Sequence, residues 1–137
     1  MIISFKMRRA AKIILINPEK KILLQLRDNK ISIPYPHYWG CIGGEIDLGE
    51  SSLEAIDREI KEEIKNAIIT NIIYLGSILE TDFLIDYFIG DIKTKIEEII
   101  LTEGEKIEYF KMEELNSLKM PPKLKDFIYS NKEKIFN

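Results

Sequence analysis

The spacing of hydrophobic residues changes several times along the chain, and each change marks a predicted element. Residues 9–16 and 21–27 are apolar, β-branched and leucine-rich runs separated by an Asn-Pro turn signal, which predicts a β-hairpin. Basic residues precede the first run, but Lys12 interrupts it and no small-residue cleavage site follows, so we interpret the start of the chain as a strand rather than a leader. Further strands are predicted at 38–43, 68–79, 83–92 and 105–110.

A helical spacing predicts one helix over residues 52–65, capped by Ser51 or Ser52, and another that begins near residue 122. The apolar stripe predicted for the first helix consists of Leu53, Ile56, Ile60 and Ile64. The second helix repeats Leu124, Phe127, Ile128, Ile135 and Phe136 at helical spacing. Strands with one helix between them and one at the end, without regular βαβ alternation, predict a mixed α/β sandwich. We expect a single domain over residues 1–137.

The segment after the predicted hairpin carries two prolines among aromatic residues, which predicts an extended surface loop leading into the strand at 38–43. Tyr35, Tyr38 and Trp39 either face a ligand or cover the edge of the sheet. The sequence alone leaves both interpretations open.

Composition narrows the classes of function. The net charge of -3 argues against a nucleic-acid polymer or an anionic membrane as partner, and no apolar run is long enough to span a bilayer, so we expect a soluble, cytoplasmic protein. Cys41 is the only cysteine and His37 the only histidine, which excludes an internal disulfide and a His/Cys zinc site. Cys41 lies in an apolar run, which favours a buried side chain over a nucleophile paired with His37.

Three glutamates of the first predicted helix fall on one border of its apolar stripe: Glu59, Glu62 and Glu63. Their i, i+3 and i, i+4 spacings bring like charges together, while Lys61 and Lys65 fall on other faces of the helix. A solvated acidic helix is one interpretation, because such runs are common. The other is a cation site, since clustered carboxylates without His or Cys suit Mg²⁺ or Mn²⁺.

The residues around these glutamates resemble the Nudix box of the Nudix (MutT-like) hydrolases. The positions that match the family pattern and spacing are Gly44, Glu50, Arg58, Glu59, Glu62 and Glu63. Lys65 and Asn66 stand where the family has a glycine and an apolar residue, a departure that concerns the exit from the helix more than the chemistry. Asn66 can adopt the left-handed conformation that glycine usually supplies. The resemblance covers residues 8–128.

This resemblance implies an α/β/α sandwich with a mixed sheet that hydrolyses a nucleoside diphosphate linked to another moiety, with Mg²⁺ or Mn²⁺ as cofactor. It implies that Glu59, Glu62 and Glu63 bind the metal, with the carbonyl of Gly43 as a further ligand. In the same pattern Arg58 orients Glu59, and Glu50 braces the loop before the helix.

Further roles follow from the resemblance. Glu103 resembles a loop glutamate that serves as general base or extra ligand; Glu59, Glu63 and Glu105 are the alternatives. Apart from the resemblance, the residues that we predict to contact substrate are Arg27, Tyr38, Trp39 and Gly44.

The substrate is the least defined part of the prediction. A small domain with short connections favours a nucleoside triphosphate as the small-molecule substrate. Lys123 follows the Pro121-Pro122 pair where the oxidised-nucleotide-sanitising members have an asparagine, which argues against that specificity. The alternative function is a non-catalytic nucleotide-binding module on the same scaffold. Both a monomer and a homodimer fit the sequence.

Overall fold

The computed structural model describes residues 7–136. The predicted strand at the start of the chain therefore lies partly outside the described residues. In chain order the strands are β1 (Arg8–Ile16), β2 (Ile22–Leu26), β3 (Trp39–Gly40), β4 (Ile42–Glu45), β5 (Ile64–Lys65), β6 (Ile69–Glu80), β7 (Phe83–Ile92), β8 (Ile100–Leu101) and β9 (Lys106–Phe110). The helices are α1 (Ser52–Glu63), α2 (Pro122–Ser130) and α3 (Lys132–Phe136), with 3-10 turns at Ile96–Glu98 and Met112–Ser117.

Seven strands form one mixed sheet. Its main order is β3-β2-β1-β7-β6, with β4 paired to β1 and β9 paired to β2. β1 and β7 run parallel over nine residue pairs, whereas the other pairs in this sheet are antiparallel. β5 and β8 form a separate two-stranded sheet at the end of α1.

Helices cover both faces of the sheet, and each face has its own hydrophobic core. Successive side chains of a strand point to opposite faces, so Ile13 and Leu15 of β1 pack with α1 while Ile14 and Ile16 pack with α2 and α3. Burial on both faces explains why residues 10–16 of β1 are apolar except at Lys12. The predicted α/β/α sandwich with a mixed sheet is confirmed.

The predicted hairpin is present, with Leu15 opposite Leu23, but the predicted strand at 38–43 is divided at Cys41. β3 pairs with β2 and β4 pairs with β1. Because β2 and β4 occupy successive stretches of the same side of β1, the chain changes partner strand between them.

The helix α1 begins as predicted and ends two residues early. Ser51 caps it in a capping box with Glu54, and Ile64 and Lys65 leave the helix to form β5. Asn66 then has a φ of 72°, which confirms the left-handed conformation. The prediction that Leu53 is buried is wrong. It is 52% exposed, because it lies in the first turn beside a shallow depression at the start of β6.

The helix predicted from residue 122 is two helices. Asn131 divides them, and its side-chain amide donates to the carbonyl of Phe127 at 2.8 Å. The five predicted apolar residues nevertheless all pack on the same core. No helix within residues 7–136 is long and apolar enough to cross a membrane.

Candidate active site

A cleft of about 1070 Å³ opens between the sheet, the end of α1 and the loop that follows β2. One part of its lining is acidic and surrounds two glycines: Gly43, Gly44, Glu59, Glu62, Glu63 and Glu103. Another part combines cations, phenols and apolar side chains: Lys12, Arg27, Tyr35, Ile85, Tyr87 and Leu124. The cleft therefore brings together the glutamates that the sequence predicts to form a site.

The two glycines of β4 allow the carboxylates of α1 to approach the backbone. At Gly44 an added Cβ would lie 2.6 Å from a carboxylate oxygen of Glu59. Gly43 has a φ of 145°, and its N–H donates to Glu63 at 3.2 Å. A side chain at Gly43 would meet the carbonyl of Ala11 at 2.1 Å, so this position requires glycine.

Arg58 connects α1 to the loop before it. Its guanidinium donates two hydrogen bonds to Glu50, at 2.7 and 3.1 Å, and one to Glu59 at 3.0 Å. A further N–H donates to the carbonyl of Glu45 at 3.1 Å. The hydrogen bonds from Arg58 lower the pKa of Glu50, and those to Glu50 raise the pKa of Arg58. This geometry holds the Glu59 carboxylate against Gly44.

The three helix glutamates differ in their surroundings. Glu63 is 3% exposed, whereas the side chain of Glu62 is 61% exposed and reaches Arg58 at 3.4 Å. Burial raises the pKa of Glu63, and the neighbouring carboxylates of Glu59 and Glu103 raise it further. Among residues 7–136, no Lys, Arg or His forms an ion pair with Glu63. In the metal-free chain these surroundings favour the protonated carboxyl, whereas a bound cation would favour the carboxylate.

The loop that carries Glu103 is attached directly to the end of α1. The N–H of Thr102 donates to the Glu63 carbonyl at 3.0 Å, and its hydroxyl donates to the Glu62 carbonyl. Gln25 of β2 donates to the Glu103 carbonyl at 2.7 Å. These bonds place Glu103 near Glu63. The alternative base Glu105 is absent from the cleft lining and lies 3.5 Å from His37.

These residues have the chemistry of a divalent-cation site. Within the described chain, no three His, Cys, Asp or Glu side chains already stand in the arrangement of a complete metal site. The donors are nevertheless carboxylates, and like charge accumulates at the buried Glu63 beside Glu59 and Glu103. Oxygen ligands of this kind suit Mg²⁺ or Mn²⁺, which would remove the repulsion between them.

Of the residues expected to contact substrate, Arg27 and Gly44 line the cleft, whereas Tyr38 and Trp39 do not. Trp39 packs edge-on against Phe110 with ring centroids 4.9 Å apart, as the sheet-edge interpretation expects. The ammonium of Lys119 lies over the ring of Tyr38 at 4.6 Å. The aromatic residue of this segment that does line the cleft is Tyr35.

Cys41 and His37 do not form a nucleophilic pair. Cys41 is 2% exposed in the core, where burial raises the pKa of its thiol to about 12. His37 is exposed and faces Glu105. Cys41 is therefore a structural residue, as its apolar surroundings in the sequence indicate.

A comparison with protein-family models identifies the chain. The NUDIX domain model matches residues 6–130. The chain belongs to the Nudix family. It is a Nudix hydrolase, and hydrolases of this family generally use divalent metal ions.

Solved structures of this Nudix fold resemble the chain at low sequence identity. A MutT protein from Methanosarcina mazei Go1 has a TM-score of 0.73 at 19% identity, over 93% of this chain and 94% of that one. A C. elegans Ap4A hydrolase has a TM-score of 0.68 at 19% identity, over 90% and 96%. The E. coli dihydroneopterin triphosphate pyrophosphohydrolase has a TM-score of 0.65 at 15% identity, over 89% and 92%. A search of curated proteins found no match.

Two cleft residues of this Nudix hydrolase were not identified from the sequence. Lys12 and Tyr87 lie opposite each other on the parallel strands β1 and β7 and both line the cleft. The signal in the sequence is Lys12 itself, a single lysine within the apolar run of residues 10–16. Tyr87 has no such signal, because a tyrosine in an apolar strand is ordinary.

Proposed function

We propose that this Nudix hydrolase cleaves the pyrophosphate linkage of a nucleoside diphosphate derivative, preferentially a nucleoside triphosphate, with Mg²⁺ or Mn²⁺. One observation carries the proposal. Buried Glu63, which has no ion-pair partner among residues 7–136, meets Glu59 and Glu103 beside Gly43 and Gly44, in a cleft large enough for a mononucleotide. A structural cluster would be expected to provide a counterion for its buried member, and Arg58 contacts Glu59 instead.

The residues divide the work as follows. Glu59, Glu62 and Glu63, with the carbonyl of Gly43, would hold the cation, which supplies charge neutralisation at phosphate and a more acidic water. Arg58 fixes the orientation of Glu59, and Glu50 holds Arg58 through two hydrogen bonds.

Hydrolysis requires a base for the attacking water. We assign this role to Glu103, which faces the helix glutamates from a loop tied to α1. Glu103 takes the proton as the water oxygen forms its bond to phosphorus. The bond between that phosphorus and the bridging oxygen then breaks, and the bridging oxygen leaves with the second phosphate. Glu59 and Glu63 are the alternative bases.

The preference for a nucleoside triphosphate rests on cleft size and on Arg27. Arg27 lies in the lining with its Nε bound to the carbonyl of Pro34 at 3.0 Å, which leaves the rest of its guanidinium for a phosphate chain. The names of two structural neighbours mention Ap4A and dihydroneopterin triphosphate, so both compounds belong in a substrate panel.

The test is hydrolysis of that panel by purified protein with Mg²⁺ or Mn²⁺, with products identified by mass. We expect release of pyrophosphate, phosphate or a nucleoside monophosphate. Glu62→Gln and Glu63→Gln should each lose at least about 100-fold in turnover. Glu98→Gln, the same substitution at an exposed position outside the cleft, should keep its activity.

Two results would contradict the proposal. One is turnover that persists in excess chelator. The other is unchanged turnover in both cleft variants. Metal-dependent binding of the same compounds without any product would instead support the non-catalytic module.

A further inference from the structure

Lys12 and Tyr87 form a polar pair on the floor of the cleft. They are paired residues of adjacent parallel strands, so their side chains leave the sheet on the same face. Tyr87 is only 2% exposed. The Cγ of Lys12 lies 2.9 Å from the position that a Cβ of Gly43 would occupy, which places this lysine next to the carboxylate part of the cleft.

The polar atoms of both side chains lack partners. Among residues 7–136, neither the ammonium of Lys12 nor the hydroxyl of Tyr87 makes a hydrogen bond or ion pair. In the same part of the chain, no side-chain N or O that is sealed from solvent lacks a partner. The ammonium and the hydroxyl must therefore open into the cleft. Both groups are donors without an acceptor among residues 7–136, so they are available to a ligand in the cleft.

The charge around the pair favours an anion. Burial and the positive charge of Arg27 both lower the pKa of Lys12. Glu63 and Glu80 act in the opposite direction, but in the described chain neither lies within 4 Å of the ammonium. Glu80 already accepts a hydrogen bond from Tyr35 at 2.5 Å. The ammonium, the guanidinium and the phenol are all donors, and apart from the bond of the Arg27 Nε to the Pro34 carbonyl they have no acceptor among residues 7–136.

We propose that Lys12, Tyr87 and Arg27 form an oxyanion site that binds a phosphate of the substrate diphosphate, next to the phosphate held at the glutamates. This inference rests on the proposed function and deepens it. Two neighbouring phosphates are needed to reach both the carboxylate cluster and the donor site. The site therefore selects ligands with a diphosphate unit over monophosphates.

The donors have different tasks. Lys12 supplies an ammonium at the strand floor, and a bound phosphate would favour its charged form, which makes the stronger charge-assisted hydrogen bonds. Tyr87 supplies one neutral hydrogen bond and fixes the height of the phosphate above the sheet. Arg27, from the end of β2, approaches the same space from the other side of β1. Removal of the lysine charge should thus weaken binding more than removal of the phenol hydroxyl.

The test uses methylenediphosphonate, a diphosphate analogue that cannot be hydrolysed, titrated into the full chain with Mg²⁺ and followed by calorimetry. Lys12→Met should raise the dissociation constant at least about 10-fold, and Tyr87→Phe about 3-fold. Lys134→Met removes one charge from an exposed position of α3 and should change it less than about 2-fold.

An unchanged dissociation constant in folded Lys12→Met would overturn the proposal, and so would the absence of saturable binding to the wild type. If Lys12→Met fails to fold, the dissociation constant of Tyr87→Phe is the test. Weaker binding of methylenediphosphonate by this variant supports the oxyanion site, and unchanged binding overturns it.

This binding measurement is separate from the hydrolysis test. Diphosphonate binding that depends on Lys12 in a chain without turnover would refute the proposed function and keep the site. Turnover in a chain whose diphosphonate binding does not depend on Lys12 would support the proposed function and refute the oxyanion site.

Discussion

Two buried carboxylates lie at opposite ends of α1 and have opposite surroundings. Asp86 of β7 is 7% exposed and accepts hydrogen bonds from Ser52, the first residue of α1, from Ser77 at 2.7 Å and from Arg9 at 2.5 Å. Glu63, the last residue of α1, is 3% exposed and accepts one backbone N–H. The pKa of Asp86 is lowered, whereas the pKa of Glu63 is raised.

The difference shows that burial does not by itself decide the state of a carboxylate. Burial raises the pKa of both groups, but Ser52, Ser77 and Arg9 outweigh it at Asp86. At Glu63 the neighbours are also carboxylates, and they add to the effect. Asp86 is therefore a structural anchor for the start of α1, while Glu63 has no such partners and is the residue that we propose binds a cation. The carboxylate at the start of α1 thus has side-chain donors, whereas the one at its end has none among residues 7–136.

Replacement of Asp86 by alanine should give the largest loss of stability. It leaves Arg9, Ser52 and Ser77 without their common acceptor, and we expect a loss of about 2 to 3 kcal/mol, because Arg9 is half exposed and its charge is partly hydrated. Urea unfolding measures the change. Asp91→Ala is the matched control, since Asp91 is an exposed residue of the same strand whose side chain, within residues 7–136, accepts a hydrogen bond from Asn71 alone. Equal losses in the free energy of unfolding of the two variants would contradict the role of Asp86 as a structural anchor.

The contribution of Asp86 should also disappear in acid. A carboxyl whose pKa is lower in the folded than in the unfolded chain stabilises the fold above its unfolded pKa, near 3.9 for aspartate, and this contribution is lost as the pH falls through the folded pKa. The free energy difference between wild type and Asp86→Ala should therefore be constant from pH 7 to about 5 and shrink below about pH 4. Unfolding curves at pH 7, 5, 4 and 3 provide the measurement. A difference that grows in acid would contradict the lowered pKa.

The elements that build the fold could be predicted because they rest on local patterns. The hairpin, β7 and the start of α1 follow from apolar spacing and from the cap residue Ser51, which are visible in neighbouring residues. The end of α1 was placed two residues late, because Ile64 continues the helical stripe. Ile64 instead belongs to β5, because it pairs with Leu101 of β8. Leu101 is distant in sequence, so no pattern near Ile64 indicates this pairing.

The candidate site divides in the same way. The glutamates of α1, Arg58 and the glycines share one short segment, so their spacing carried the prediction. Lys12 and Tyr87 are far apart in sequence and meet only because β1 and β7 are parallel neighbours, a pairing that no local pattern announces. Tyr38 and Trp39 were expected at the substrate from residue type alone, and sheet packing places them elsewhere.

The sharpest test of the contrast is a variant that should lose function and gain stability. In metal-free protein, Glu63→Gln removes a buried carboxyl that faces Glu59 and Glu103 and that folding must either protonate or bury as a charge, while the amide oxygen can still accept the N–H of Gly43. We expect a gain of about 1 kcal/mol, or about 4 °C in melting temperature, measured in chelator. Glu98→Gln, at an exposed position, should change little. Added Mg²⁺ should then stabilise the wild type more than Glu63→Gln, because only the wild type retains the full set of charged ligands. A loss of stability in chelator would mean that Glu63 is anchored like Asp86, and the distinction between the two ends of α1 would fail.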